Sequence, residues 1–236
     1  DDNKEFPVKF NNGILEDGEF IEVEYKEFTP FVINASYNED ATPVQIVDDY
    51  LNHLTDGDED YRQLIGEILG YTLETKADRI ALLAKFFVFV GDGSNGKGTL
   101  LKIIRKILGS KNVSSLSMKD MGDSTYFPAL KGMLANLGDD LEDEPINNIM
   151  MKKIKNITTA DDLTMREMYK SAENIQLKTT LIFTSNHMIK SFEKGNAFKR
   201  RIVWCPMFNK PKKADDQFIN KITTDEAIEY WVKIML

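Results

Sequence analysis

Five consecutive apolar residues, Phe86–Val90, stand in the middle of the chain. Such a run of β-prone side chains predicts a strand that is buried on both faces of a parallel sheet. Two further strand-like runs follow, Met133–Leu137 and Thr180–Ser185. Between the first and second runs, apolar residues recur with helical spacing before a capping glycine, Gly109. These residues are Leu100, Leu101, Ile103, Ile104, Ile107 and Leu108. The pattern therefore predicts an α/β fold, with a mainly parallel sheet flanked by helices.

The first part of the chain has a different pattern. Residues 1–36 suggest short strands and turns, with a strand over Phe20–Tyr25. A helix is expected to begin after Pro43, and a second helix to span about Tyr61–Leu73. We therefore predict a small N-terminal α+β domain over residues 1–78. A core domain over 79–213 and a helical segment over 214–236 follow, and because the helical pattern breaks off at the last residue, a longer parent polypeptide is expected.

Composition excludes several classes of protein. The chain has 236 residues, of which 42% are hydrophobic and 29% are charged, as is usual for globular proteins. A single cysteine excludes an internal disulfide framework, and two histidines beside it argue against structural zinc. The sequence has no apolar run long enough to cross a bilayer and no signal-peptide pattern at its start. A cytoplasmic location without membrane contact is the expectation.

Charge is distributed unevenly along the chain. The net charge is −8, yet residues 1–78 carry 20 acidic and five basic residues. Residues 150–213 carry 14 basic and five acidic residues, and Lys194–Lys213 has seven bases and no acid. Because fields in salt solution are local, this basic segment could bind an anion such as nucleic acid. A solvated basic surface is the other interpretation, and charge alone does not choose between them.

The first predicted strand leads directly into a glycine-rich loop. Glycines allow backbone N–H groups to close around phosphate oxygens, a following helix adds its dipole, and Lys97 can reach the β- and γ-phosphates. The predicted nucleotide-binding residues are Gly91, Gly93, Ser94, Asn95, Gly96, Lys97, Gly98, Thr99 and Leu100. The strict motif has Ser or Thr directly after the lysine, whereas here Gly98 stands there and Thr99 follows as the candidate Mg²⁺ ligand. The alternative is a glycine-rich turn with a chance lysine.

Nucleotide hydrolysis also requires a carboxylate for Mg²⁺, a group that activates water and a sensor of the γ-phosphate. Asp139 and Asp140 follow the second strand-like run, and either could hold Mg²⁺ while the other polarises water. Asn186 follows the third run, and its amide can both donate and accept hydrogen bonds. Taken alone, the acidic stretch could equally be a solvated turn and the asparagine a turn former.

Together, the three strands and their polar ends resemble the core motifs of superfamily 3 helicases, in particular the helicase part of phage and plasmid primase–helicases. Lys155–Asp161 occupies the place of that group's extra lysine and turn motif, with Thr159 and Ala160 in place of two glycines. The likeness extends backward to Phe10–Leu15 and Ile68–Tyr71, and forward to Phe198–Val203.

This resemblance implies an AAA+-type ATPase that forms a hexameric ring and moves along single-stranded DNA at a replication fork. It implies that Lys97 holds phosphate, Thr99 and Asp139 hold Mg²⁺, Asp140 orients water and Asn186 senses the γ-phosphate. A primase module in the same polypeptide and a bacterial host are further implications.

Two more groups of residues take their roles from the same resemblance. Arg201, with Arg200 as the alternative, would be an arginine finger that reaches the ATP site of a neighbouring subunit. A hairpin with arms over Leu163–Tyr169 and Asn174–Thr180 would contact DNA. Its candidate DNA-binding residues are Arg166, Tyr169, Lys170 and Lys178.

Two functions of other classes stay open. The chain could be an ATPase motor for packaging or remodelling, which would not respond to oligonucleotide. It could also be a DNA-binding assembly module that does not hydrolyse ATP, which Gly98 and the missing glycines favour.

Overall fold

The computed structural model describes residues 4–141, 147–187, 199–213 and 215–236. Its backbone forms an α/β fold with a five-stranded parallel sheet flanked by helices and a small antiparallel sheet near the N-terminus. The fold class predicted from the sequence is therefore confirmed. The chain divides into two compact units, and their segments alternate along the sequence.

The first unit, here called the sheet unit, comprises Asp1–Glu5, Glu74–Val90 and Val113–Pro206. Its parallel strands, in chain order, are β4 (Phe86–Val90), β5 (Val113–Ser114), β6 (Ala135–Leu141), β9 (Thr180–Ser185) and β10 (Ile202–Pro206). They pair in the order β10-β4-β9-β6-β5, and every pairing is parallel. The remaining elements are α3 (Ala77–Leu83), α5 (Met118–Gly122), α6 (Asn148–Thr158) and the antiparallel hairpin of β7 (Asp162–Met165) and β8 (Glu173–Gln176).

Burial in the sheet unit follows from the apolar runs. All five residues of β4 and all six of β9 are buried, as expected for strands covered on both faces. The Phe86 and Phe183 rings meet edge to face with centroids 6.4 Å apart. The prediction of a doubly buried strand at Phe86–Val90 is confirmed.

The second unit, here called the loop unit, comprises Phe6–Leu73, Gly91–Asn112 and Met207–Leu236. It contains the small sheet of β1 (Val8–Lys9), β2 (Ile14–Glu16) and β3 (Glu19–Ile21). Its helices are α1 (Gln45–Thr55), α2 (Glu59–Tyr71), α4 (Lys97–Leu108), α7 (Phe218–Ile222) and α8 (Asp225–Met235). This unit combines segments from both ends and from the middle of the chain. The division into domains over residues 1–78, 79–213 and 214–236 stays a prediction.

Close packing of α2 against α8 explains one glycine in this unit. A Cβ atom on Gly70 would lie 2.2 Å from the backbone oxygen of Met235, so no larger residue fits there. Trp231 of α8 is fully buried, and its ring N–H donates to the oxygen of Ile222. The C-terminal helix is thus part of the core of this unit.

Elements near the N-terminus differ from the expectation in their bounds. The strand expected over Phe20–Tyr25 ends at Ile21, because β3 is an edge strand and the residues after it are exposed. Helix α2 begins at Glu59, two residues before the expected start, because the Asp58 side chain accepts a hydrogen bond from the Tyr61 N–H and caps it.

Candidate functional site

The glycine-rich loop connects the end of β4 to the first residue of α4. Gly93, Ser94 and Gly96 all have positive φ, of 96°, 52° and 96°. Gly96 is the N-cap of α4 and supplies no side chain to cap it. The first N–H groups of the helix therefore have no side-chain acceptor from the N-cap, which is the arrangement that favours binding of a phosphate.

Lys97 is held inside this loop. Its side chain is only 6% exposed, and its Nζ donates to the backbone oxygen of Gly91 at 2.6 Å and to Oδ1 of Asn95 at 2.9 Å. A buried ammonium group requires such acceptors, because unpaired burial of a charge is costly. The loop thus holds its cation close to its own backbone.

Two further side chains extend this network. Nδ2 of Asn95 donates to Oδ1 of Asp92 at 3.0 Å, and Nζ of Lys210 lies 3.1 Å from Oδ2 of Asp92. The hydrogen bond from Lys210 lowers the pKa of Asp92 below its ordinary value. A chain of contacts therefore runs from Lys210 through Asp92 and Asn95 to Lys97.

The space around two glycines of the loop differs. A Cβ on Gly91 would lie 2.0 Å from the Met207 backbone oxygen and 2.6 Å from Nδ2 of Asn95. At Gly98, by contrast, no atom of the described residues lies within 4 Å of the Cβ position, apart from its chain neighbours and its own helix backbone. Gly91 is therefore required by close packing, and Gly98 is not. Thr99, in the first turn of α4, is half-buried.

Polar residues at the carboxyl ends of β6 and β9 belong to the sheet unit. These strands are parallel neighbours, so their carboxyl ends lie at one edge of the sheet. The register pairs Leu141 with Ser185, which places Asn186 one residue beyond the pair and Asp139 two residues before it. Both side chains are exposed. The backbone of Asp140 belongs to β6, and its side chain lies outside what the structure describes.

A β-bulge shapes β6 at this point. The pairing register of β6 with β9 shifts between Gly138 and Leu141. A Cβ on Gly138 would lie 2.5 Å from the Phe183 ring and 2.6 Å from the Leu116 oxygen, so glycine is required there. The sequence pattern predicts a strand that ends at Leu137, before the aspartates. In the structure, β6 continues through them to Leu141.

The predicted donor sets have the chemistry that ATP and Mg²⁺ require. The loop amides and the Lys97 cation suit phosphate oxygens. Within the described ranges, no group of three or more His, Cys, Asp or Glu side chains could hold a metal ion by itself. That is compatible with Mg²⁺ in nucleotide sites, which takes one or two protein ligands and fills its shell with phosphate oxygens and water. Thr99 and Asp139 carry suitable oxygen atoms.

The two arginines before β10 differ in exposure. Arg201 is 9% exposed, and its backbone oxygen accepts from the Phe86 N–H at 2.9 Å. Arg200 is exposed, and its backbone oxygen accepts from Nζ of Lys85. The side chain of an arginine finger must project from its own subunit into the solvent. Exposure therefore favours Arg200 as the finger, whereas the resemblance favours Arg201. Both assignments stay predictions.

The hairpin of β7 and β8 forms at the predicted place, and Met165 pairs with Glu173. Its arms are shorter than the predicted Leu163–Tyr169 and Asn174–Thr180, since each strand has only four residues. Its tip presents Tyr169, which is 96% exposed and has a φ of 65°. Lys170 pairs with Glu167, and Nε of Arg166 donates to the Lys170 backbone oxygen at 3.2 Å. Three of the predicted DNA-binding residues therefore lie together at this tip.

Lys178, the fourth, lies beyond the hairpin. Its Nζ donates to the backbone oxygen of Lys4 at 3.4 Å. Partial burial lowers its pKa although Glu5 is nearby. Lys178 is therefore partly buried, in contrast to the exposed residues at the tip of the hairpin.

Sequence reasoning missed two contributors to the loop. The hydroxyl of Tyr50, on α1, donates to the Gly96 oxygen at 2.8 Å, and Lys210 pairs with Asp92. In the sequence, Tyr50 is one of the apolar residues with helical spacing after Pro43, which indicates only a core position. Lys210 is one of seven bases in the segment Lys194–Lys213. No local signal in the sequence connects either residue to the loop, 46 positions away in the case of Tyr50.

Comparison with known proteins gives similarities over different parts of the chain. A protein family of unknown function, DUF5906, matches residues 89–201. The protein named "Putative primase C962R", from warthog and pig isolates of African swine fever virus, is 22% identical over 161 residues. That match covers 60% of this chain and 16% of the viral protein.

Solved structures match over nearly the whole chain. An apo structure of the NrS-1 C-terminal region has a TM-score of 0.66 at 16% identity, covering 95% of this chain and 52% of that one. Another apo structure of this region gives a TM-score of 0.65 at 17% identity, covering 93% and 51%. The chain thus shares their fold and spans about half of their length. In the described part of the chain, no helix is long and apolar enough to cross a membrane.

Proposed function

We propose that the chain is the motor part of a replication protein, an ATP-dependent, ring-forming DNA helicase of a phage, a plasmid or another mobile element. The glycine-rich loop over Gly91–Gly96, called the phosphate loop from here on, is the observation that carries this proposal. It joins a buried parallel strand to a helix whose N-cap offers no side chain, and it holds a buried lysine. That combination matches the requirement of a nucleoside triphosphate for backbone donors and one cation.

The residues divide the chemistry between them. The loop amides and Lys97 bind the β- and γ-phosphates and offset the charge that develops on the transferring group. Asp140 orients the attacking water, and Asn186 contacts the γ-phosphate through its amide. Thr99 and Asp139 would hold Mg²⁺, which neutralises phosphate charge when it is bound.

A role in replication draws on the similarities. The viral protein of similar sequence is named a primase, and the sequence motifs resemble those of helicases that are joined to primases. Both similarities support a replication-associated role for this chain. Ring assembly follows from the same resemblance and from an arginine placed before β10, since an arginine finger acts on the site of a neighbouring subunit.

The hairpin supports contact with single-stranded DNA. An aromatic ring exposed as fully as that of Tyr169 can stack on a base of any type, and the neighbouring Arg166 and Lys170 can contact phosphates. Such contacts do not depend on base sequence, as translocation along a strand requires.

The test is ATP turnover with and without single-stranded oligonucleotide, in the wild type, Lys97→Ala and Lys102→Ala. Lys102 is the control, because it is an exposed lysine on the same helix. We expect turnover that DNA stimulates in the wild type and in Lys102→Ala, and at least about a hundredfold less in Lys97→Ala. Equal turnover in Lys97→Ala would contradict the phosphate loop.

The two other functions predict different results in the same assay. A packaging or remodelling motor would turn over ATP without a response to oligonucleotide. A non-hydrolysing assembly module would bind ATP and release no phosphate, a behaviour that the open position of Gly98 favours.

A further inference from the structure

A cavity of about 480 Å³ opens beside the phosphate loop, entirely within the loop unit. Ser94, Gly96 and Thr99 form the side towards the loop. The opposite walls come from α1 and from the start of α7, including Tyr50 and Phe218. The proposed function assigns phosphate binding to the loop and assigns no ligand group to this cavity.

Aromatic side chains form one wall of the cavity. The Tyr50 and Phe218 rings pack with centroids 5.5 Å apart at an interplanar angle of 56°. Tyr50 is buried and its hydroxyl binds the Gly96 oxygen, whereas Phe218 is only half-buried. The wall is therefore anchored to the phosphate loop through Tyr50, and Phe218 keeps surface available for a ligand.

Polar groups in the cavity are few. His53 lines it, and the Nε2 atom of this side chain is buried without a hydrogen-bond partner in the described structure. Its backbone is fixed, because Nδ2 of Asn209 donates to the His53 oxygen at 3.0 Å. Asp49 and Asp215 add exposed carboxylates at the edge, and Lys213 adds an exposed ammonium group. Mostly apolar walls with a few polar groups are typical of sites for small organic ligands.

We infer that this cavity receives the nucleoside part of the nucleotide whose phosphates bind at the loop, with a purine base packed against Phe218. The inference rests on the proposed function. The cavity and the loop share Ser94 and Gly96, so one ligand with a charged end and a planar aromatic end fits both. Purines present more stacking surface than pyrimidines, and the carboxylates can accept hydrogen bonds from ribose hydroxyls or an exocyclic amine.

The recognition residues lie outside the segment that the family of unknown function matches. That match covers residues 89–201, whereas Tyr50, His53 and Phe218 precede or follow it. The phosphates would thus be bound by the matched segment, and the base by flanking parts of the chain.

Calorimetric binding of ATP, UTP and inorganic tripolyphosphate tests this inference on the full chain. Tripolyphosphate carries the charge of the nucleotide without the base, so it reports on the loop alone. The variants are Phe218→Ala, His53→Ala and Lys97→Ala. Phe208→Ala serves as the control, since Phe208 is an exposed aromatic residue that does not line the cavity.

In the wild type we expect ATP to bind more tightly than UTP. Phe218→Ala should weaken ATP binding roughly tenfold and reduce the ATP–UTP difference, with tripolyphosphate affinity unchanged. His53→Ala should weaken ATP binding roughly threefold, again without an effect on tripolyphosphate. Lys97→Ala should weaken the binding of both ATP and tripolyphosphate, and Phe208→Ala should weaken the binding of neither.

Two results would overturn the base site and leave the phosphate loop in place. One is wild-type ATP affinity in both Phe218→Ala and His53→Ala. The other is an equal loss of ATP and tripolyphosphate in Phe218→Ala, which would assign Phe218 a purely structural role. If the wild type bound neither ligand, the proposed function would fail together with the base site.

Discussion

At the scale of single residues, Gly91 and Gly98 offer a matched comparison at the phosphate loop. Gly91→Ala would force a Cβ to within 2.0 Å of the Met207 backbone oxygen. We expect it to lower the free energy of unfolding by about 2 kcal/mol and to abolish nucleotide binding, because backbone cannot move aside cheaply. Urea unfolding and ATP binding measure the two effects.

Gly98→Ala is the control, since its Cβ position has no neighbour within 4 Å among the described residues outside its own helix backbone and chain neighbours. Alanine is a better helix former than glycine, so this variant should be more stable by about 0.5 kcal/mol. Equal losses of stability in Gly91→Ala and Gly98→Ala would contradict the view that close packing requires glycine at position 91.

Ala84 provides a second residue-scale prediction. It ends α3 in the left-handed conformation, with a φ of 50°, where glycine avoids the steric cost of a Cβ. We expect Ala84→Gly to raise the free energy of unfolding by about 1 kcal/mol. Ala81→Gly, at an exposed position within the same helix, should lower it by about 1 kcal/mol. A loss of stability in both variants would contradict this account.

At the scale of elements, β10 buries the one cysteine of the chain. Burial raises the pKa of Cys205 from 9.0 to about 12. At pH 8 the thiolate fraction is therefore about a thousandfold smaller than for an exposed thiol. We expect a thiol reagent to label the native protein very slowly at pH 8 and the urea-unfolded protein rapidly, and comparable rates would place Cys205 at the surface.

The same shift makes a prediction for stability in alkaline solution. The pKa of Cys205 is higher in the folded state than in the unfolded state. Its contribution to the free energy of unfolding is therefore fully present below about pH 9. It is lost as the pH rises from there through about 12, since the unfolded chain releases its proton first. Cys205→Ala should show a smaller loss of stability between pH 8 and pH 11 than the wild type, as measured by urea unfolding.

The hairpin of β7 and β8 carries a prediction about DNA. Tyr169→Ala should weaken single-stranded DNA binding roughly tenfold and leave stability nearly unchanged, because the ring makes little contact with the protein. Tyr126→Ala, which removes another exposed aromatic side chain, is the control. Fluorescence anisotropy with a labelled oligonucleotide measures the effect, and equal affinities for both variants would remove the Tyr169 ring from DNA binding.

Lys170→Ala acts through charge. We expect weaker binding and a shallower dependence of affinity on salt, since fewer counterions are released, while ATP turnover without DNA persists. Lys170 already forms an ion pair with Glu167, but its side chain is largely exposed to solvent. Such a pair is weak, so a DNA phosphate can replace Glu167 as the partner of Lys170. A salt dependence identical to that of the wild type would exclude a phosphate contact at Lys170.

At the scale of the whole molecule, an arginine finger acting between subunits predicts complementation. Lys97→Ala and the finger variant should each lack turnover. Mixed together, they should recover part of it where one intact loop meets one intact finger. Arg200→Ala and Arg201→Ala are tested in parallel: exposure favours the first and the resemblance the second. No recovery with either variant, in rings that exchange subunits, would argue against action between subunits.

The sequence by itself determined the strand, loop and helix around Lys97, because a continuous apolar run, clustered glycines and helical spacing are local signals. It also located the paired strands of the hairpin and the polar ends of β6 and β9. Strand ends were predicted less well: β6 continues through its aspartates to Leu141, with a register shift against β9 between Gly138 and Leu141.

Only the tertiary structure decided which distant residues meet the loop. Tyr50 and Lys210 reach Gly96 and Asp92 from opposite directions along the chain, and Phe218 completes a cavity with Tyr50. It likewise decided that Arg201 is buried while Arg200 is exposed. These outcomes depend on long-range packing, in which each side chain's burial and partners are set by segments far away in sequence. Local composition and spacing carry no information about such contacts.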